Sequence, residues 1–224
     1  MSTAQPESAY FLAVNRNKKS ITVNIKSQKG KHIIQELAKK CDVLVENYLP
    51  GKLEQMGVGY SDLAKINPRL IYASITGYGQ TGPYAHKPGY DVIIEAEAGL
   101  MHITGHADSE PAKVGVAITD LTSGLYAKSA ILAALFERTR SGLGQHLDIN
   151  LLDCQVASLA NIASNFLVAG VEVRPFLTIT PCKRFPTPMV GSTARHSTRQ
   201  HCAISGLQDK GRLVSYRGWI GHTI

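Results

Sequence analysis

Asp120 is the residue in this sequence whose position and neighbours best fit a chemical role. It interrupts an apolar, β-branched run that begins at Val114, and from Leu121 the apolar residues take on helical spacing as far as Phe136. The pattern predicts that a strand or loop turns into a helix at Asp120 and that this helix stops at Gly142. Because free backbone N–H groups and the helix dipole favour negative charge in a first helical turn, we expect the Asp120 carboxylate to be ionised.

A carboxylate in this position serves either as a simple helix-start residue or as a covalent nucleophile. Its neighbours bear on the choice. Gly115 and Gly124 remove side chains where a ligand has to approach the backbone, and Thr122 and Ser123 offer hydroxyl groups. These neighbours favour a catalytic Asp120, with the helix-start role as the alternative.

Strands and helices alternate in the regions that flank this carboxylate. Short apolar or alternating runs predict strands at residues 20–24, 41–46, 70–75 and 146–151. Helical spacing predicts helices at 27–40, 61–66, 90–100 and 153–170, besides the one that follows Asp120. The expected helix caps are Ser27 and Asp153, and the expected buried positions are Ile33, Ile34, Leu37, Val156, Leu159, Phe166 and Leu167. This alternation predicts an α/β fold with an open parallel sheet.

Two loops follow predicted strands and are candidate ligand loops, because ligands collect at the carboxyl ends of parallel strands. One loop spans residues 47–51 and the other spans 76–83. The second contains Gly77, Gly79 and Gly82 in the spacing G-x-G-x-x-G. A dinucleotide site needs a helix to begin at once, whereas prolines follow here and no helical period starts until about Tyr90, so a nicotinamide or flavin cofactor is disfavoured.

Charge and composition exclude several classes of protein. The net charge of +7 arises mainly beyond residue 170, where 8 basic residues face 2 acidic ones; residues 1–170 hold 16 against 15. With no zinc-finger spacing or RNA-binding aromatic signature, nucleic-acid binding is disfavoured. His102 and His106 are separated by Thr104 and Gly105, which disfavours a helical metal pair, so we expect no metal.

No targeting segment is visible in the sequence. The longest apolar run, Ala130–Phe136, is far shorter than the about 20 residues of a membrane span, and we expect no membrane association. Residues 1–11 lack both a basic start and an apolar core, so no secretory signal is expected. The four cysteines form no C-x-x-C and indicate reduced thiols. We therefore expect an intracellular protein, mitochondrial or cytoplasmic.

Seven segments in this order resemble the class III CoA-transferases, the CaiB/BaiF type. They are NRNKKSITVNIK, CDVLVENYLPGKLEQMGVGY, NPRLIYASITGYGQTGP, PGYD, GLMHITG, VGVAITDLTSGLYA and GQHLDINLLDCQVA. The combination is most similar to the succinyl-CoA:glutarate branch of that family. The resemblance implies a Rossmann-like large domain, an interlocked homodimer and a catalytic aspartate at Asp120. It also implies CoA contacts at Asn47, Tyr48 and Lys87.

The reaction implied by the resemblance moves CoA from an acyl-CoA donor, expected to be succinyl-CoA, to a carboxylic acid acceptor, expected to be a dicarboxylate. The implied intermediate is an aspartyl-CoA thioester, and the coenzyme A thioester is a substrate with no permanently bound cofactor. The alternative is a 2-methylacyl-CoA racemase, which uses a histidine in a GHD motif. Gly89-Tyr90-Asp91 stands at that place here, and the missing base counts against proton abstraction.

The sequence also departs from the family. Family members extend further at both ends, so we expect residues 10–170 to form a partial large domain. Residues 171–224 contain scattered prolines and no sustained period, which predicts a mostly irregular tail that is unlike the family from about residue 188. A further alternative is therefore an inactive, truncated family member.

Overall fold

The computed structural model describes residues 8–106, 108–173 and 175. The chain divides into two units after Pro175, and the described residues belong to the first. Their elements, in chain order, are α1 (Ala9–Val14), α2 (Gln28–Ala38), β1 (Val43–Glu46), α3 (Lys52–Gln55), α4 (Tyr60–Ile66), β2 (Ile71–Thr76), α5 (Asp91–Glu97), α6 (Ile118–Ser141), β3 (His146–Asn150), α7 (Leu151–Ser158) and α8 (Ala160–Ala169).

The three strands form one open sheet in the order β1-β2-β3, and both pairings are parallel. Ala73 at the centre of β2 lies opposite Val45 on one side and Leu147 on the other. A parallel sheet needs helical crossovers between its strands, and α3 to α6 supply them. The predicted α/β fold with an open parallel sheet is confirmed.

Helices cover both faces of β2, which is why its residues are almost all buried. Tyr72 faces a cluster that contains Leu63 and Leu70, with α2, α3 and α4 around it. The next residue, Ala73, points to the opposite face and packs with Ala127 of α6 and Ile149 of β3. Full burial of an aliphatic side chain such as Ile71 of β2, which is 0% exposed, stabilises the fold by roughly 1.5–3 kcal/mol, so β2 anchors the described unit.

The long helix α6 buries small residues and exposes large ones. Its buried positions are Thr119, Ser123, Ala127 and Ala134. Small side chains allow the helix to lie close to the sheet, which brings its first turn down to the strand ends. Most of the apolar residues whose spacing predicted this helix are exposed. They are Leu121, Leu125, Leu132 and Phe136.

Residues 20–24, predicted as a strand, form none. Ile21 is exposed, and a strand gains stability only from a partner with which it shares backbone hydrogen bonds. Instead Asn24 begins a turn: its side-chain Oδ1 accepts from the N–H of Lys26 at 3.1 Å, and its carbonyl accepts from the N–H of Ser27. The predicted cap of α2 is confirmed, because Ser27 Oγ accepts from the N–H of Gly30 at 3.0 Å.

The predicted helix at 153–170 is two helices, α7 and α8, bent by 81°. Ala160 at the junction has a left-handed φ of 44°, which breaks the helical backbone. The cap of α7 is Asn150 rather than Asp153, since Asn150 Oδ1 accepts from the N–H of Asp153 at 2.8 Å. The predicted tail at 171–224 lies almost wholly outside the described residues.

The predicted buried faces of these helices were partly wrong. Exposed instead are Ile33, Leu37, Val156, Phe166 and Leu167, whereas Ile34 packs against the core. Within the described part of the chain, no single helix is long and apolar enough to cross a membrane. Only α7 and α8 together reach the required length and hydropathy, across their bend.

Candidate active site

A cavity of about 420 Å³ opens at the carboxyl ends of β1 and β2, beside the first turns of α6. Its size is within the usual range for a small-molecule site. The lining residues are Val45, Glu46, Asn47, Ile75, Asp120, Ser123, Gly124 and Leu151. The fold therefore brings one predicted ligand loop and the predicted nucleophile to one place.

Asp120 lies in the first turn of α6, as predicted, but the start of that helix is built by a residue far away in sequence. The N-cap position is Ala117, whose side chain cannot accept a hydrogen bond. Asp91, the first residue of α5, takes over this role. Its Oδ1 accepts from the N–H of Thr119 at 2.8 Å and from the N–H of Asp120 at 3.0 Å.

The other two N–H groups of this turn are also occupied. Ile118 donates to the carbonyl of Val116 at 2.8 Å, and Leu121 donates to the carbonyl of Ala117 at 3.1 Å. The Asp120 carboxylate therefore gains no hydrogen bond from these N–H groups. Desolvation by the surrounding protein, followed by the negative charge of Asp91, raises the pKa of Asp120 above its ordinary value, although the residue is exposed. The predicted ionised state of Asp120 stays a prediction, and the helix start, which already holds Asp91, gives that charge no hydrogen bond.

Ser123 and Gly124 lie one turn along α6 from Asp120 and face the same cavity. Ser123 is 1% exposed. Among residues 8–106, 108–173 and 175, no oxygen or nitrogen atom forms a hydrogen bond with its hydroxyl. The Cys154 thiol lies beside it, and a thiol is a weak partner. Ser123 therefore places a hydroxyl without a strong partner at the wall of the cavity. Gly124 has open space where a side chain would stand.

The glycine-rich loop after β2 is held to the protein by its own backbone. Gly79 has φ +89°, and its N–H donates to Thr76 Oγ1 at 2.9 Å, while the N–H of Gln80 donates to Asp148 Oδ2 at 2.8 Å. These two N–H groups are thus already used, and neither residue lines the cavity. As the sequence predicted, the chain stays irregular after the loop until α5 begins.

Gly77 and Gly89 hold this loop against the start of α5. A side chain on Gly77 would stand 2.5 Å from the Cα of Gly89, and one on Gly89 would stand 2.5 Å from the Cα of Gly77. Only two glycines allow so close a contact between backbones. Since Asp91 is two residues after Gly89, the contact also fixes where Asp91 meets α6.

Metal-binding geometry is absent from the described residues. No group of three or more His, Cys, Asp or Glu side chains in them is placed to hold a metal ion. His102 has a different neighbour, since its Nε2 lies 3.8 Å from a carboxylate oxygen of Glu172.

Comparison with known proteins identifies the family of this chain. The family model described as CoA-transferase family III matches residues 1–181. The chain belongs to CoA-transferase family III.

Two relatives are succinyl-CoA:glutarate CoA-transferases. The mouse protein is 55% identical over 185 residues, covering 81% of this chain and 42% of the relative. The human protein is 54% identical over 211 residues, covering 91% of this chain and 48% of the relative. This family III chain thus spans about half the length of the curated relatives it matches.

A solved structure with the same fold is a CaiB/BaiF family protein from Brucella suis. It is 46% identical, with a TM-score of 0.73, and the match covers 75% of this chain and 44% of that one. Membership of the family confirms the resemblance seen in the seven sequence segments.

The three CoA contacts expected of a family III member lie in different surroundings. Asn47 follows β1 and lines the cavity. Tyr48 is exposed next to it, and its N–H donates to Glu46 Oε2 at 2.7 Å. Lys87 does not line the cavity; its ammonium group lies 3.6 Å from the centre of the Tyr84 ring. The CoA-binding role of all three residues stays a prediction.

Sequence reasoning missed the contacts that Asp91 and Glu95 make with the segment around the start of α6. Asp91 stood in the PGYD segment, but its contact with α6 spans 28 residues of chain and has no local signature. Ser123 was noticed only as one of two hydroxyls near Asp120, and its spacing of three residues from Asp120 was the available signal, because such residues share a helix face.

Proposed function

We propose that this protein transfers CoA from succinyl-CoA to a dicarboxylate, with Asp120 as the nucleophile. The observation that carries the proposal is the position of the Asp120 carboxylate in the cavity at the strand ends of a family III chain. The names of the mouse and human relatives support the choice of succinyl-CoA and of glutarate as the first acceptor to test.

The reaction begins when a carboxylate oxygen of Asp120 attacks the thioester carbonyl carbon. A C–O bond forms, the C–S bond breaks, and a mixed anhydride and CoA thiolate result. The thiolate then attacks the aspartyl carbonyl carbon, and the donor acid leaves as its carboxylate. The acceptor carboxylate repeats these two steps in reverse order on the aspartyl thioester, so activated acyl groups are exchanged without ATP.

The environment of Asp120 fits this chemistry. A carboxylate with a raised pKa is a stronger base in its ionised form and a better nucleophile than an ordinary surface carboxylate. Each tetrahedral intermediate places negative charge on an oxygen, which a hydrogen-bond donor stabilises. The Ser123 hydroxyl, buried beside Asp120, is the donor that we assign to this role.

The racemase alternative has no support from this geometry. Tyr90 stands where a racemase would carry its histidine, and the following Asp91 is buried while accepting two backbone N–H groups. A general base for proton abstraction has to reach the substrate, and Asp91 faces the helix instead.

The test is CoA exchange between succinyl-CoA and glutarate, measured with the wild-type protein and with Asp120→Ala and Asp120→Asn. We expect both variants to lose transfer by several orders of magnitude, because each lacks the attacking oxygen. Hydroxylamine added during turnover should trap residue 120 of the wild type as a hydroxamate. Transfer that survives either substitution would end the nucleophile assignment, and incorporation of solvent deuterium at the α-carbon of a 2-methylacyl-CoA would favour the racemase.

A further inference from the structure

Two buried carboxyl groups meet directly beneath the start of α6. Asp91 is 8% exposed and Glu95, one turn later on α5, is 0% exposed. They are four residues apart on one helix, so their side chains share a face, and Asp91 raises the pKa of Glu95. Buried ionised carboxylates are costly, and two in contact are costlier still, so the pair needs a reason to persist.

Each carboxyl has one oxygen engaged by backbone and one that is not. Asp91 Oδ1 accepts from Thr119 and Asp120, and Glu95 Oε2 accepts from the N–H of Val114 at 3.2 Å. The other two oxygens, Asp91 Oδ2 and Glu95 Oε1, are buried and find no N–H or hydroxyl donor within the described ranges. A single proton between the two carboxyl groups satisfies both oxygens at once.

The engaged oxygens both hold the chain that leads into the nucleophile. Val114 lies in the segment that precedes α6, and Thr119 and Asp120 form its first turn. Residue 119 is fixed a second time, since Thr119 Oγ1 and Gln155 Oε1 of α7 are 2.5 Å apart. The acid pair and Gln155 therefore determine where the Asp120 side chain leaves the helix.

We propose that Asp91 and Glu95 are a proton-sharing pair that positions Asp120 and sets its charge, a role that rests on the proposed nucleophile. Glu95 holds the shared proton, and Asp91 carries the negative charge that caps α6. That charge lies close to Asp120 and opposes its ionisation. Neither acid touches the substrate, so both are positioning residues.

The electrostatics of the surrounding elements agree with this division. Burial, together with the charge and hydrogen bond of Asp91, raises the pKa of Glu95. Asp91 also contributes to the raised pKa of Asp120. Among the described residues, Lys113 before α6 acts on Glu95, Gln155 of α7 contacts Thr119, and Glu46, Asn47 and Ser123 line the cavity with Asp120, with Cys154 of α7 beside Ser123.

The test is an NMR titration of Asp120 in the whole chain, with ¹³C-labelled aspartate and signals assigned by comparison with Asp120→Asn. Asp91→Asn keeps an oxygen that can accept from the two N–H groups but removes the charge, so we expect the pKa of Asp120 to fall. Glu95→Gln leaves Asp91 ionised and supplies a permanent N–H donor to it, so Asp120 should no longer respond to the titration of residue 95.

Asp148→Asn is the matched control. Asp148 also accepts a hydrogen bond from a backbone N–H, that of Gln80, but it lies on β3 and not at the start of α6. It should leave the titration of Asp120 unchanged. An unaltered Asp120 titration in Asp91→Asn, or an equal change in Asp148→Asn, would overturn the proposal.

Hydrogen exchange provides a second measurement that does not depend on charge. In Asp91→Ala the amides of Thr119 and Asp120 should lose protection by roughly fivefold, as expected for a lost helix cap, and Asp91→Asn should retain it. Equal protection in both variants would contradict the positioning role. Neither measurement requires transferase activity. Failure of CoA transfer would therefore overturn the proposed function, whereas the NMR titration and hydrogen exchange test the acid pair separately.

Discussion

At the scale of single residues, Asp120 depends on its neighbours for its chemistry. Its helix supplies no free N–H group, its own pKa is raised, and the adjacent hydroxyl of Ser123 is buried without a strong partner. Such unsatisfied or perturbed groups are expected where a protein binds a ligand rather than where it only maintains its fold.

Asp120→Asn should make the protein more stable at neutral pH. A pKa raised above its ordinary value of 3.8 means that the folded state holds its proton more tightly than the unfolded state. The free energy of unfolding therefore falls as pH rises through this range, and the amide removes that loss.

Urea unfolding of the two proteins measures this difference. The variant should be the more stable one at about pH 7, and the gap should close at about pH 3, where Asp120 is protonated in both states. A gap independent of pH would contradict the charge-based explanation.

Gly124→Ala should separate stability from function. Alanine is favoured over glycine in a helix interior by about 1 kcal/mol, and open space surrounds the position, so the free energy of unfolding should rise by about that amount. The added methyl group enters the cavity beside Asp120, so succinyl-CoA:glutarate transfer should fall.

Chemical denaturation and transfer assays check the two effects of this substitution separately. Gly142→Ala at the other end of α6 is the contrasting variant: Gly142 has φ +76°, so alanine there should destabilise the helix without altering the cavity. Transfer that is undiminished in Gly124→Ala would show that the glycine is not needed for ligand access.

At the scale of elements, the start of α5 is what joins the glycine-rich loop to the nucleophile helix. The loop touches α5 through the contact between Gly77 and Gly89, and α5 touches α6 through Asp91. Gly77, the first glycine of the G-x-G-x-x-G spacing, thus serves to bring two backbones together.

Gly77→Ala should destabilise the protein and loosen the start of α6. Its methyl group would stand 2.5 Å from a backbone atom of Gly89, which has no flexible side chain to move aside. Overpacking of this kind costs about 1–3 kcal/mol. Thermal unfolding and hydrogen exchange at Thr119 and Asp120 measure both effects, and Gly115→Ala, where nothing lies within 4 Å, is the control. Equal stability of these two variants would contradict the role of the contact.

Local patterns in the sequence predicted the elements that local forces determine. The spacing after Asp120 gave α6, Ser27 gave the start of α2, and the runs at 41–46, 70–75 and 146–151 gave the three strands. Residues 20–24 have the same β-branched composition but no strand, because pairing depends on the rest of the chain. The break at Ala160 likewise left no signal in an uninterrupted apolar helix pattern.

The candidate site was predictable only in part for the same reason. Asp120 and Asn47 could be predicted from their positions, because Asp120 lies at a helix start and Asn47 follows a strand. Asp91 and Glu95 act across 28 and 19 residues of chain, and their burial decides their charge. A sequence does not reveal which carboxyl groups will meet in the core, so the pKa of Asp120 could not be anticipated.

At the scale of the whole molecule, the described unit leaves one side of α6 exposed. Leu121, Leu125, Leu132 and Phe136 lie on that side, and contiguous exposed apolar surface is typical of regions that pack against protein. The homodimer implied by the family resemblance remains a prediction, and this side of α6 is a part of the described chain that fits it.

The buried acid pair should give the whole protein a characteristic dependence of stability on pH. Because the pKa of Glu95 is raised above its ordinary value of 4.5, the folded state binds more protons than the unfolded state between these two values. The free energy of unfolding should therefore decline as pH rises through that window and level off above the folded pKa. Glu95→Gln should abolish most of the decline, as measured by urea unfolding across a pH series.

Glu36→Gln is the matched control for this measurement. Glu36 is a surface residue whose hydrogen bond to Lys39 lowers its pKa, so its contribution has the opposite sign: stability that is present above pH 4.5 is lost on acidification. Removing it should leave the decline at higher pH unchanged. If the wild-type protein shows no such decline, or if Glu36→Gln removes it as effectively as Glu95→Gln, the proton of the acid pair does not contribute to folding as argued.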